Sequence, residues 1–395
     1  MKKFRTLLLI LPFSFFYFSC SESDTSLRGR VVSSELILSL DKNGVENKMN
    51  EFDPAVKFLF PPRLGVDIYK VIYETVSFDN STTTASGIVV IPNDGGSYPI
   101  ASYQHGTIVV KEEAPSRLVG EFVVGLGIST DGYITVMSDY LGLGDSEGLH
   151  PYVHASSEAS ACLDMLRASK NLLSDLDIPN NGQLFLFGYS QGGHSTAALQ
   201  KEIEEMHSSE FAITASAPMS GPYDLSGTMA DVFQDTSTTS APYYLPYTLL
   251  SYNMVYDLYT NDEIFKAPYN NTMPALFNGM NSSSTISGSM PSAPIDIVNE
   301  NLVNDFNSDP DHPLHQKLEE NDLIHWIPQA PTRIYYCEDD EQVDKMNSII
   351  AYDNFINLGA NNVEIKNIGA GLGHVDCAIP TFSNAKAWFD SLKIQ

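Results

Sequence analysis

Runs rich in β-branched and aromatic residues, bounded by polar, Pro or Gly positions, recur along the chain at IYKVIYETVSF (68–78), ASGIVVI (85–91), PIASYQ (99–104), YITVMS (133–138), QLFLFG (183–188), FAITASA (211–217), TRIYYC (332–337) and VEIKNIG (363–369). Each predicts a strand. Between the later runs the period changes to that of a helix over 155–175, 191–207, 346–358 and 381–393, with Leu163, Leu166 and Leu173 giving the first of these a buried face. Early strands in close succession predict antiparallel pairing, and strand–helix alternation afterwards predicts parallel pairing. The expected architecture is α/β, an eight-stranded, mostly parallel sheet flanked by helices. No internal repeat is visible.

One segment breaks this rhythm. More than a hundred residues separate the strand at 211–217 from that at 332–337, and a gap so long must hold structure of its own. It contains APYYLPYTLLSYNMVYDLY (241–259) and the Ser-rich MNSSSTISGSMPSAP (280–294). Aromatic and Met density interleaved with Pro predicts a largely helical cap lying over something apolar. The other reading is that these side chains only pack the insertion onto the main domain. The expected division is a signal peptide at 1–19, a tether and N-terminal extension at 20–64, a core formed by 65–221 with 329–395, and a cap or lid at 222–328.

Composition narrows the partners. The chain has 395 residues, 43% of them hydrophobic, enough for one large domain with an insertion or for two modest ones. Its net charge of −27 repels phosphate backbones, so nucleic acid is not an expected partner. The first twenty residues place Lys2, Lys3 and Arg5 before an apolar stretch from Leu7 to Phe18, too short to span a bilayer and suited to an export signal. It ends at Ser19-Cys20 and then SESDTS. This resembles a bacterial lipoprotein signal, although Tyr17 stands where those signals usually carry Leu. The resemblance implies lipidation at Cys20 and anchoring at the outer membrane, on a side that remains open.

The stretch LFLFGYSQGGHS (184–195) carries the candidate chemistry. A buried strand gives way to a helix at Ser190, and Gly188, Gly192 and Gly193 permit the sharp turn that lifts one side chain above the sheet edge. Backbone N–H groups at the start of a helix can stabilise a developing oxyanion. By itself such a serine is equally an N-cap in a glycine-rich loop. A nucleophilic serine needs a base, and the base needs an orienting acid. Acids follow the penultimate strand in CEDDEQV (337–343), and His374 lies in a Gly-rich loop, NIGAGLGHVDC, after the last strand. Both loops leave the carboxyl edge that carries Ser190.

The order serine, acid, histidine resembles that of the α/β-hydrolases. Within them YQHGT (103–107), SDYLGLGDS (138–146), GYSQGG (188–193), CEDDEQV and GLGHVDC (371–377) resemble the secretory lipase and esterase group, over most of the chain from about residue 65. That resemblance implies a triad of Ser190, Asp340 and His374. The acid's usual Gly-x-x-Asp-x-x-Val-Pro motif has Cys337 in place of glycine and Asp344 in place of proline, so Asp339 stays an alternative. It also implies an oxyanion hole built from the Gln191 amide with that of Thr107 or Gly106. His105 then shapes its loop, and Asp139 and Asp145 tie theirs by accepting backbone N–H bonds.

Neither a metal nor a cofactor is implied. His150 and His154 have His-x3-His spacing but no evident third ligand, and no cysteine pair has zinc-site spacing. Cys337 and Cys377 each lie three residues from a triad candidate, on loops that must converge. Two readings follow: a disulfide across those loops, or two buried thiols. Three functions compete: an ester hydrolase acting through acyl-Ser190, a serine peptidase of related fold, and a non-catalytic surface binder. The implied partner of the first is an ester substrate; the oligomeric state is unreadable.

Overall fold

The computed structural model describes residues 27–394 apart from 53–56 and 58–59, so the expected signal peptide and Cys20 lie outside the described residues. Nine strands form one sheet: β1 Val31–Leu40, β2 Val66–Val76, β3 Thr82–Pro92, β4 Tyr98–Gln104, β5 Ile134–Ser138, β6 Asn180–Tyr189, β7 Ile213–Met219, β8 Thr332–Tyr336 and β9 Val363–Asn367. Their spatial order is β1-β2-β3-β5-β4-β6-β7-β8-β9. Pairing is antiparallel from β1 through β3 to β5 and parallel from β5 to β9.

The sheet therefore has one strand more than the eight expected. The addition, β1, falls in the stretch read as a tether, followed there by helix α1, Lys42–Phe52. Its sequence VVSSELILSL is apolar at Val31, Val32, Leu36, Ile37, Leu38 and Leu40 but does not alternate, and as an edge strand its residues are all exposed or half-buried.

The other helices that position the site are α2 Phe122–Ser129, α3 Ala155–Asp175 and α4 Gln191–Met206. Beyond the insertion come α5 Met346–Leu358 and α6 His374–Leu392. The last was expected from 381. Its seven preceding residues include Pro380, which reads as a helix boundary, yet the helix runs through it from His374.

β6 sits at the centre and shows why the sheet is layered. Phe185, Phe187 and Tyr189 point to one face and join a core with Phe382 and Phe389 of α6. Leu184 and Leu186 point to the other and pack with Leu163, Leu166 and Leu173 of α3. Alternation with both faces apolar is what a strand covered on both sides requires. Truncating Phe185, fully buried, to Ala would cost about 3–5 kcal/mol.

Between β7 and β8 the chain forms a separate apolar cluster. It gathers Leu225, Phe233, Leu245, Tyr247, Leu249, Tyr252, Phe265, Phe306 and Leu314 around helix α7, Tyr244–Tyr256, with shorter helices beyond it. No helix among the described residues is long and apolar enough to cross a membrane.

Candidate active site

At the end of β6 the chain reverses into α4 through Ser190, whose backbone is at φ 60° and ψ −125°. A non-glycine residue holds such a conformation only where its surroundings impose it, at a cost of order 1–3 kcal/mol. Here Ser190 N–H donates to Met219 O at 2.9 Å, and Gly193 N–H donates back to Ser190 O at 2.8 Å. The turn is tight enough that a Cβ on Gly192 would stand 2.0 Å from Gln104 O, and one on Gly188 2.3 Å from Gly192 O. No side chain larger than hydrogen fits at either place.

Ser190 Oγ lies 2.8 Å from His374 Nε2, and His374 Nδ1 lies 2.8 and 2.9 Å from the two oxygens of Asp340. All three residues are buried, Ser190 at 8% exposure. Asp340 Oδ1 also accepts from the backbone N–H of Gln342 and Val343, at 3.1 and 2.9 Å, which fixes the carboxylate's orientation. With Nδ1–H donating to Asp340, Nε2 is left to accept from the serine hydroxyl.

Asp339, the alternative acid, is exposed and accepts from Gly371 N–H at 2.6 Å instead. Glu341 accepts from His374 N–H at 2.9 Å. His374 stands at the first position of α6 rather than in the preceding loop, because Gly373 already caps the helix in extended conformation. Cys337 and Cys377 are joined by a disulfide with Cα atoms 6.0 Å apart. The acid and histidine segments are thus tied through Cys337, Asp339, Asp340 and Glu341.

Of the three amides expected to line an oxyanion hole, Gly106 N–H is already engaged, donating to Glu121 Oε2 at 2.9 Å. That leaves Gln191 and Thr107, whose amides have no hydrogen-bond partner among the described residues. Gln191 is the first residue of α4, where an unpaired N–H is intrinsic to the helix. The Glu121 carboxylate carried no recognisable signal in the sequence; only the return of α2 towards β4 brings it there.

The remaining polar residues have structural places. Both nitrogens of His105 face carbonyl oxygens, Gly106 O at 2.7 Å and Asp139 O at 3.3 Å, and its ring lies 4.1 Å from that of Tyr140. Asp139 accepts from Ser116 N–H at 2.9 Å and from the Ser86 hydroxyl. Asp145 differs from expectation: its partners are Lys70 at 2.7 Å and Arg117 at 3.1 Å, since the loop tip faces basic side chains of neighbouring elements. His150 and His154 do not converge. Nδ1 of the first meets Leu141 O, and Nδ1 of the second meets Ser157 Oγ. No group of three potential metal ligands occurs among the described residues.

Ser190 opens into a cavity of about 570 Å³. Its lining combines Leu225, Phe233, Leu245, Leu249 and Leu314 from the insertion with polar side chains such as Thr228, Thr248 and Gln342, and with the exposed Asp231, Asp235 and Glu341. Such a space accommodates a small molecule with an aliphatic portion.

Known proteins resemble this chain in sequence and fold. A family profile described as secretory lipase matches residues 121–231. A candidate hydrolase of Legionella pneumophila superposes with a TM-score of 0.85 at 30% identity, over 92% of this chain and 98% of that one. The rice cell wall degrading esterase LipA of Xanthomonas oryzae gives 0.79 at 29%, over 92% and 96%. Candida antarctica lipase A in its closed state, at 17% identity, shares the fold with a TM-score of 0.69 over 93% and 84%. Among curated proteins none matches.

Proposed function

The chain belongs to the α/β-hydrolase family, and from that premise we propose that it is a carboxylic-ester hydrolase of the lipase and esterase kind, working through an acyl-Ser190 intermediate. The observation that carries this reading is the unbroken chain of contacts Ser190–His374–Asp340, of which Ser190 and Asp340 line a cavity.

His374 Nε2 takes the hydroxyl proton as Ser190 Oγ attacks the ester carbonyl carbon. The tetrahedral oxygen accepts hydrogen bonds from the Gln191 and Thr107 amides, each worth roughly 3 kcal/mol of barrier. Asp340 keeps the imidazole in the required tautomer and stabilises its charged form. The C–O bond to the alcohol then breaks as His374 returns the proton to the departing oxygen. A water, deprotonated by the same nitrogen, attacks the acyl carbon; the carboxylic acid leaves and Ser190 regains its proton.

Residues 222–328 act as the cap that encloses the acyl portion, and the resemblance of the N-terminus to a lipoprotein signal supports export with anchoring through Cys20. The test is turnover of p-nitrophenyl esters against peptide anilides by wild type and Ser190→Ala. Ester turnover and fluorophosphonate labelling, both lost in the variant, are expected. Undiminished labelling of the variant, or hydrolysis of anilides alone, overturns the proposal.

A further inference from the structure

Behind the nucleophile lies a buried polar cluster that none of these steps uses. Glu158, in the first turn of α3, is 1% exposed, and a carboxylate so placed is costly unless its oxygens are satisfied. Oε1 accepts from Gln191 Nε2 at 2.7 Å, and Oε2 accepts from His194 Nδ1 at 2.7 Å. Both donors stand in the first turn of α4, immediately after Ser190. Burial pushes the Glu158 carboxyl up, but the His194 charge and hydrogen bond outweigh it and hold the carboxyl below its ordinary value.

Gln191 Nε2 also meets His150 Nε2 at 2.6 Å. His150 accepts there because its Nδ1–H is spent on Leu141 O at 2.8 Å, and burial lowers its pKa to about 4, which keeps the ring neutral. Two acceptors on the same nitrogen establish which way the Gln191 amide points. Its Oε1 is left buried with no partner among the described residues. The side chain of the residue whose backbone amide faces the nucleophile is therefore held at two points on the α3 side.

The same cluster is fastened to the insertion. Ser251 Oγ of α7 donates to His150 O at 2.8 Å, and Tyr252 OH donates to Val153 O at 3.1 Å. Tyr247 of α7 stacks on Tyr152 with centroids 4.5 Å apart. At the far end His194 Nε2 faces Asn321 O at 3.3 Å, and Asn321 Nδ2 donates to Tyr256 OH of α7 at 2.8 Å. A continuous path of hydrogen bonds runs from the inserted helix to Gln191.

We infer that Glu158 and His150 are positioning residues that act through the Gln191 side chain to hold the Gln191 backbone N–H at the place where the oxyanion forms, and that the inserted helix α7 helps to set that place. The inference rests on the reading of Ser190 as nucleophile and of the Gln191 amide as an oxyanion donor. Its physical ground is the narrow range, about 2.7–3.1 Å from the transition-state oxygen, over which such a donor is effective. A first helical residue has no intrahelical bond to its own N–H; the carbonyl of the same peptide, Ser190 O, accepts from Gly193 and His194 N–H at 2.8 and 3.3 Å, and the grip on the Gln191 side chain adds a second hold from the other side.

Gln191→Leu keeps the volume and removes both bonds; His150→Phe keeps a ring and removes one. In the full-length exported protein, each variant is assayed with a p-nitrophenyl ester and with an aliphatic trifluoromethyl ketone, whose adduct with Ser190 carries the oxyanion. Each is expected to lower kcat about 10- to 100-fold with KM changed less than threefold, and to weaken the ketone by the same factor as kcat/KM. A merely structural role would not couple those two quantities. The double variant should lose no more than the worse single one, since both act through one tie. If Gln191→Leu does not fold, His150→Phe alone decides. A variant with native melting behaviour whose kcat/KM and ketone affinity stay within twofold of wild type overturns the inference, as does a loss confined to KM. Turnover persisting in Ser190→Ala overturns instead the nucleophile reading beneath it.

Discussion

Asp340 keeps both carboxylate oxygens within 2.9 Å of His374 Nδ1, while its neighbour Asp339, exposed, spends an oxygen on Gly371 N–H. The two therefore have different expected phenotypes. Asp340→Asn presents an NH2 group to Nδ1 and turns the imidazole to the wrong tautomer, so kcat should fall by roughly 10³–10⁴-fold with little change in KM. Asp339→Asn still offers an oxygen to Gly371, and its kcat should stay within about threefold. Steady-state kinetics on one ester compares them; a larger defect at 339 would move the acid there. At this scale the residue types were legible because Ser190, the acids of 338–341 and His374 each follow a strand that ends at the same sheet edge. The pairing of Gly106 with Glu121 was not, since it depends on where a helix fifteen residues later comes to rest.

The elements on which the proposed activity depends are the two loops after β8 and β9 and the inserted helices. The Cys337–Cys377 disulfide closes a separation of 40 residues; by the chain-entropy relation such a link stabilises the fold by about 4 kcal/mol. The double variant Cys337→Ser/Cys377→Ser should lose stability of that order in denaturant titration and also lose kcat, because the acid and histidine loops are no longer fastened beside the triad. Unchanged kcat in the folded variant would confine the bond to stability.

For the insertion, Leu245 and Leu249 line the cavity. Replacing both with Ser should reduce kcat/KM for octanoate by one to two orders of magnitude and for acetate by less than about threefold, since each buried methylene is worth about 0.8 kcal/mol. Equal losses would mean that these leucines only support the insertion. Helix α3, at 155–175, matched its periodicity to the residue, because one face meets the sheet and the other meets solvent or polar neighbours. The start of α6 did not, because Pro380 interrupts a helix that packing carries through it.

At the scale of the molecule, burial sets the pH range of stability. His150 and His154 are buried and lowered from 6.5 to about 4, principally by desolvation. A histidine lowered on folding binds its proton more readily in the unfolded chain. Its contribution is full above pH 6.5 and is lost as pH falls towards 4. By pH 5 each costs roughly 2 kcal/mol, at 1.36 kcal/mol per unit. Urea titrations at pH 7 and pH 5 should therefore show a marked loss, and His154→Gln should remove about half of it. An identical pH dependence in that variant would contradict the assignment. The net charge of −27 acts in the opposite sense as carboxylates begin to protonate in the acid half of this window and self-repulsion falls.

Local rules acting on the sequence alone determined the α/β class, the order of strand and helix, the turn at Ser190 and the residue types of the site. Periodicity, glycine content and chain order are properties of near neighbours. What required the tertiary structure were the relations between segments far apart: the β1 edge strand paired to β2, the contact of His374 with Asp340 and not Asp339, the occupation of the Gly106 amide by Glu121, and the buried Glu158–Gln191–His150 tie. Each depends on the distance between side chains 15 or more residues apart, or on small rotations of adjacent ones. Hydrophobic pattern carries no information about such distances until the sheet and its covering helices have packed.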